Sequence, residues 1–435
     1  MIYDVLNPGF GLNPITANGS TDDKTNFQLI INHANSQGGG EIILPGNRTI
    51  IISSQLTIYS NLTFRSSHGK TVIKALANGV YSFMNFATES TTYSVTIDGI
   101  EFDGGGFNTT HGLIFLSGAN VKVINCNFKN FNLGHQAIMF KFSINNVTIK
   151  NCTFDNLNSG IFFHQRNQNL RIEDNHFNNL NGHAIHLQGS QTAAHYCSDV
   201  IIRGNHIVIS PQPPNEPGIH GIYMTCADTD FDGTSAHHEN IVVADNIVIG
   251  PSLSFPAKDS TVQGGAADLI SLKDIIRLKC YGNTARNGGD LGYAIERCHY
   301  GVVSNNTADQ NNRCGISIFG SSHISVTGNV CGNNEQDYDG ENGNPPYGGI
   351  RVEFDSVHVI LSGNHLYGQG VGVGTQKYGI VVKENSIPAS ASTNPIRAPF
   401  NIKIGVNHYS GNSLGDIYNE VTSTIIQDAS ASVAP

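Results

Sequence analysis

Runs of alternating β-branched and polar residues recur along most of this chain, each followed by a small or polar residue and then an asparagine. Asn175, Asn205, Asn246, Asn283, Asn306, Asn329, Asn364 and Asn385 hold that place, and Cys126 and Cys152 hold it upstream. Segments such as Ile201-Ile202-Arg203 and Ile324-Ser325-Val326-Thr327 alternate with period two, the signature of strands. The asparagine that follows suits a tight turn needing a left-handed residue, and stacked copies would make an asparagine ladder inside the bend. One coil cannot bury its own apolar face, so coils stack in parallel and share a core. The pattern predicts an all-β chain folded as a single-stranded, right-handed parallel β-helix.

Successive template positions lie 26, 23, 30, 41, 37, 23, 23, 35 and 21 residues apart. The three long intervals are consecutive, so their extra loops are expected to stand side by side as a wall, often the binding face of a solenoid. The head reads differently. Thr21-Asp22-Asp23 offers a helix start, Phe27, Ile30, Ile31 and Ala34 follow at helical spacing, and Gly38-Gly39-Gly40 ends the run before a strand from Glu41 to Leu44. This predicts a short helix capping the open end of the solenoid, where core and strand edge would otherwise be exposed. The expected organisation is a cap over 1–50, a β-helix over 51–410, and an irregular last coil and tail over 411–435.

Composition narrows the function. A chain of 435 residues exceeds the usual single globular core, which a repeat architecture resolves. The net charge of −10 argues against a broad nucleic-acid or anionic-membrane surface, and no apolar run is long enough for a membrane helix. The first residues carry no signal-peptide pattern, so an extracellular or virion-associated protein would have lost its signal or travel by another route. Eight cysteines in so long a chain, two of them at coil spacing, read as reduced core residues.

Tyr3-Asp4-Val5, Asn18-Gly19-Ser20-Thr21-Asp22-Asp23 and the stretch Gly38 to Gly46 together resemble the entry motif of the pectate-lyase-like right-handed β-helix superfamily. Its members include phage tailspike depolymerases, polysaccharide lyases and mannuronan C5-epimerases. The resemblance implies a pectin-lyase-like fold and a polysaccharide partner, and leaves monomer and homotrimer open. Asp268 to Lys273, followed one coil later by Ala294-Ile295-Glu296-Arg297, is similar to the Lys and Arg stretches of the chondroitinase B and alginate lyase family. That similarity implies Lys273 as base with Arg297 as its partner; only Asp268 stands where that family places two calcium-binding glutamates.

A second strand in each coil aligns on Ile138, Ile161, Ile185, Ile222, Ile270, Ile295, Ile316 and Ile350. With these inward, the residues one and three later point outward. The outward set includes His164, His186, Gln188, Tyr223, Lys273, Glu296, Cys298, Arg351 and Glu353, alongside the long coils. Strict alternation puts Arg297 inward, so the strand bulges there or Glu296 is the true outward residue.

Elimination from a uronate requires a base, a cation for the enolate and an acid for the leaving oxygen; Lys273, Arg297, His186 and Tyr223 are the candidates. Hydrolysis needs two carboxyls, drawn from Glu296, Asp268, Asp274 and Glu353. His164, His220, Gln188, Arg351 and Glu353 are candidate sugar-binding residues. Asp228, Asp230, Asp232 and Glu239 match the liganding slots of a calcium loop, so Ca2+ is the one cofactor expected and no organic cofactor is. The expectation is a polysaccharide-degrading enzyme, β-elimination ahead of hydrolysis, with C5-epimerisation or glycan binding without chemistry as rivals.

Overall fold

The computed structural model describes the chain except 78–80, 87–92, 108–110, 117, 190–195, 211–217, 227–236, 252–267, 336–346, 370–375, 385–397 and 435. It divides into an N-terminal unit, Met1–His206, and a C-terminal unit, Ile207–Pro435. Each is a stack of coils whose strands pair in parallel with the coils before and after. A typical coil has a first strand, a bend, a short second strand and a third strand. In the C-terminal unit one such coil runs Ile275–Tyr281, Thr284–Arg286 and Tyr293–Glu296.

After two short strands, Ile2–Asp4 and Asn18–Asp22, the N-terminal unit forms the expected helix, Lys24–Ser36, which buries Phe27, Ile30, Ile31 and Ala34. Asp23 sits at its N-cap, but its carboxylate turns away to accept the amides of Thr16 and Ala17. The following strand starts at Gly39, earlier than Glu41, because two glycines enter it with positive φ; a Cβ on Gly39 would lie 2.0 Å from the Asn61 carbonyl oxygen. In two later coils the second and third strands run on as one, Asn127–Phe140 and Thr153–His164. Two phenylalanine stacks fill the interior, Phe86, Phe115, Phe140, Phe163 and Phe102, Phe128, Phe154, Phe177, with rings 4.3 to 5.1 Å apart.

The asparagine ladder exists, with two corrections. The left-handed residue is the one before each ladder position: Asn125, Asn151, Asp174, Gly204, Asp245, Gly282, Asn305, Gly328 and Gly363. The ladder asparagine itself points inward. Asn306 donates from Nδ2 to the Cys280 carbonyl one coil back, and its Oδ1 accepts the amide of Asn283. Each ladder side chain thereby satisfies buried backbone groups that the bend leaves unpaired. After Asn364 the next rung is Asn407, 43 residues on, whose Oδ1 accepts the Asn364 amide; Asn385 lies outside the described residues. All eight cysteines are free and buried, as expected, with Cys152 handing the upstream slot to Asn175 through a 2.9 Å hydrogen bond.

In the C-terminal unit the extra residues of the long coils enter at two places. Segments 211–217, 252–267, 336–346 and 370–375 fall between second and third strands, and 227–236 and 385–397 follow a third strand. The expected wall itself falls outside the described residues.

Candidate functional site

Third strands of the C-terminal unit run in register from Ile222–Thr225 through Ile270–Lys273, Tyr293–Glu296, Ile316–Phe319 and Gly348–Glu353 to Tyr378–Lys383. Ile270 faces Tyr293, which faces Ile316. The inward anchor of that coil is therefore the buried Tyr293, not Ile295, because a tyrosine fills the slot isoleucine holds elsewhere. A slip of two residues keeps Glu296 outward but changes its row. One outward row reads Lys273, Glu296, Phe319, Glu353, Lys383, and the other Ser271, Ala294, Ser317, Arg351. Cys298, expected outward, is buried past the strand end.

Arg297 is neither bulged nor inward. The strand stops at Glu296, and Arg297 takes a left-handed turn with φ 50°, as Asp274 does one coil earlier with φ 59°. Alternation does not apply beyond a strand end. The guanidinium binds both oxygens of Asp274, at 2.5 Å from Nε and 3.2 Å from Nη2, and lies 3.8 Å from Glu296. Asp274 is fully buried and also accepts the amide of Cys226. Arg297 thus serves first to neutralise a buried carboxylate.

Lys273 and Glu296 form an ion pair at 2.9 Å, each about one-fifth exposed. Burial pulls the Lys273 ammonium down, but Glu296, Asp268 and Tyr223 outweigh it, and its pKa ends above the ordinary lysine value. Lys273 is a cation held by a carboxylate, the opposite of what a resting base requires. Asp268 is buried and accepts the Ser271 hydroxyl at 3.1 Å. Burial raises its pKa, against the lowering pull of Lys273, Ser271, the Leu291 amide and Arg313. Two carboxyls, one just before a third strand and one at the end of the next, thus have unlike surroundings: Glu296 is gripped by cations, and Asp268 is desolvated. His220 places Nδ1 2.7 Å from the Asp268 carbonyl oxygen, and burial lowers its pKa to about 4. It is a neutral imidazole at pH 7, with the proton assigned to Nδ1 by that bond, and its ring stacks on Tyr223 at 4.3 Å.

Further along, Arg351 pairs with Glu353 at 2.5 Å, and the Tyr347 ring lies 4.8 Å from the Arg351 guanidinium and 5.5 Å from that of Arg313. Glu335, which sequence reasoning missed, is buried beneath this group. Its carboxylate accepts the amides of Tyr347 and Lys377 and pairs with the Lys377 ammonium at 3.2 Å. Burial lifts its pKa to about 7 despite those partners.

His164, His186 and Gln188 belong to the N-terminal unit and are half-buried on its outward third-strand face, as expected. His186 packs 4.8 Å from Phe162 and 5.0 Å from His183, an aromatic rather than a charged setting. Asp228, Asp230 and Asp232 lie outside the described residues. Their proposed companion Glu239 is in the first strand His238–Ala244, paired with Arg277 at 2.9 Å. Among the described residues no group of three His, Cys, Asp or Glu is placed to hold a metal ion.

Residues 50–236 match the family model described as the right handed beta helix region, somewhat less than half the chain. No curated protein matches it. Among solved structures, the A-module of mannuronan C-5 epimerase AlgE6 from Azotobacter vinelandii superposes with a TM-score of 0.62 at 15% identity, covering 100% of this chain and 99% of that one. Tailspike protein 3 of bacteriophage CBA120 follows at 0.57 and 12%, covering 100% and 61%. The N-terminal fragment of bacteriophage Phi29 gene product 12 gives 0.56 and 14%, covering 92% and 70%. At these identities the likeness is one of architecture. This chain is a right-handed parallel β-helix.

Proposed function

We propose that this β-helix is a polysaccharide-cleaving enzyme and that it works by glycoside hydrolysis, with Asp268 as the proton donor and Glu296 as the ionised carboxylate. The contrast between those two carboxyls carries the reading: desolvation favours the protonated acid at Asp268, while Glu296 is ion-paired with Lys273 at 2.9 Å and lies 3.8 Å from Arg297. A buried acid beside an ion-paired carboxylate offers the two carboxyls that protonating a leaving oxygen and activating a water require. Asp268 accepts the Ser271 hydroxyl and Glu296 pairs with Lys273, two same-face positions of one strand.

The fold neighbours support the substrate class, since one is a mannuronan epimerase module and another a phage tailspike. A virion-associated or extracellular setting and a homotrimer or monomer remain part of the proposal on the same footing. β-Elimination ranks second, because the lysine it would use as base is held as a cation.

The test is an incubation with alginate, pectate, glycosaminoglycans and bacterial capsules, with calcium or with EDTA, followed by reducing ends, ultraviolet absorbance of unsaturated product and the anomeric proton spectrum. New reducing ends without absorbance are expected, and the anomeric spectrum tells inversion from retention. Absorbance rising with the ends would replace hydrolysis with elimination. Activity lost in EDTA and restored by calcium would place a calcium site in the account.

A further inference from the structure

We propose that Arg351 and Lys383 form a recognition site for an oxyanion carried by the sugar chain, a carboxylate or a sulfate. The proposal deepens the polysaccharide reading by naming the substrate's charge. Lys383 stands directly across from Glu353 in the strand register, yet the Glu353 carboxylate is taken by Arg351 at 2.5 Å. Among the described residues no carboxylate lies within ion-pairing distance of the Lys383 ammonium. Both cationic side chains are removed from solvent, with Lys383 6% and Arg351 8% exposed. The Nε–H of Arg351 is buried and has no hydrogen-bond partner among the described residues. Of the two buried cations only Arg351 has a carboxylate in ion-pairing reach, and one guanidinium donor is unused.

That arrangement is costly by itself, since a buried charge needs a partner and a buried donor an acceptor. Its cost is visible at Lys383, whose pKa is lowered by burial and then by Arg351, with Glu353 and Glu420 pulling the other way. The remaining groups here do not supply the missing anion. Tyr418, across from Val381, donates its hydroxyl to Glu420, and Tyr347 lies over Arg351. An incoming oxyanion would accept from Nε–H of Arg351 and from the Lys383 ammonium, while the Tyr347 ring offers a flat apolar surface to a pyranose. By contrast Lys273 already has Glu296 at 2.9 Å and no charge left over.

Lysines labelled with 13C at Cε test this without any turnover. The Lys383 resonance is assigned by its loss in Lys383→Arg, and the protein is titrated with sodium glucuronate, sodium sulfate or glucose at constant ionic strength. Glucuronate or sulfate should move the Lys383 signal and raise its titration midpoint, leaving Lys273 unmoved, and glucose should do neither. The more potent anion distinguishes a uronate from a sulfated sugar. Arg351→Gln and, independently, Lys383→Gln should weaken binding about tenfold or more by calorimetry, the scale of a charge-assisted hydrogen bond. No shift with either anion, or equal shifts at many lysines, overturns the proposal. A protein that binds glucuronate at Lys383 yet cleaves no polysaccharide would retain the anion site and refute the hydrolase reading.

Discussion

The two units use the same coil for different ends. The N-terminal unit fills its interior with two phenylalanine stacks and presents Phe162, His164 and His186 on its outward third-strand face. The buried asparagine ladder, which begins with Asn175 and Asn205 in the N-terminal unit, continues in the C-terminal unit through Asn283, Asn306, Asn329, Asn364 and Asn407, where Asn311 and Asn334 add a second one along another bend. The outward face of the C-terminal unit carries Lys273, Glu296, Arg351, Glu353 and Lys383 at low exposure. Phenylalanine stacks hold coils through apolar burial that tolerates small shifts in register. Asparagine ladders fix each coil to its neighbour through directional bonds, and a face of ion pairs spanning successive strands depends on that fixed register. The difference teaches what the proposed chemistry would require of a solenoid: a face of ion pairs set on coils pinned by buried asparagines rather than on apolar stacks alone.

If that contrast holds, the largest stability losses separate by mechanism. Arg297→Ala leaves Asp274 charged and buried, and should cost about 3–5 kcal/mol in chemical denaturation, recovered in large part by pairing it with Asp274→Asn. Phe140→Ala should cost a similar ~3–5 kcal/mol by leaving a cavity in the stack, with no partner substitution able to restore it. Full additivity in the first case would mean that the ion pair is not what neutralises Asp274.

Glu335 gives a pH-dependent handle. Its folded pKa of about 7 lies above the ordinary 4.5, so its contribution is fully present below pH 4.5 and is lost as pH rises through 7. The stability of the protein relative to Glu335→Gln should fall by roughly 3 kcal/mol across that window. A difference that is flat with pH would place the carboxyl in a more solvated setting. Smallest is Asn306→Ala, expected to cost about 1–3 kcal/mol through the orphaned Asn283 amide and Cys280 carbonyl, measured as a drop in midpoint. Asn306→Asp should restore the acceptor and not the donor.

Much of the fold was legible because its determinants are local. Alternation marks strands, and the asparagine slot recurs with each bend. The misreadings also have local causes. Asn385 follows an alternating run but lies outside the described residues, and the rung after Asn364 is Asn407, whose Nδ2 reaches a carbonyl one coil back. Ile295 misled because an isoleucine anchor was assumed where Tyr293 serves. Of the site, the residue types on the outward face were readable, and their pairings were not. Asp274 and Arg297 are 23 residues apart, and nothing in the chain between them signals the contact until the register is known. Glu335 and Lys383 border the excursions 336–346 and 385–397, whose lengths do not repeat, so no periodicity points to them.

The central claim is that Asp268 and Glu296 divide the labour of hydrolysis, and reducing-end release by the wild type, Asp268→Asn and Glu296→Gln on one acidic polysaccharide tests it most directly. The account predicts that each variant retains the fold and loses on the order of 10²–10⁴-fold in rate. Either variant cleaving at the wild-type rate would contradict it.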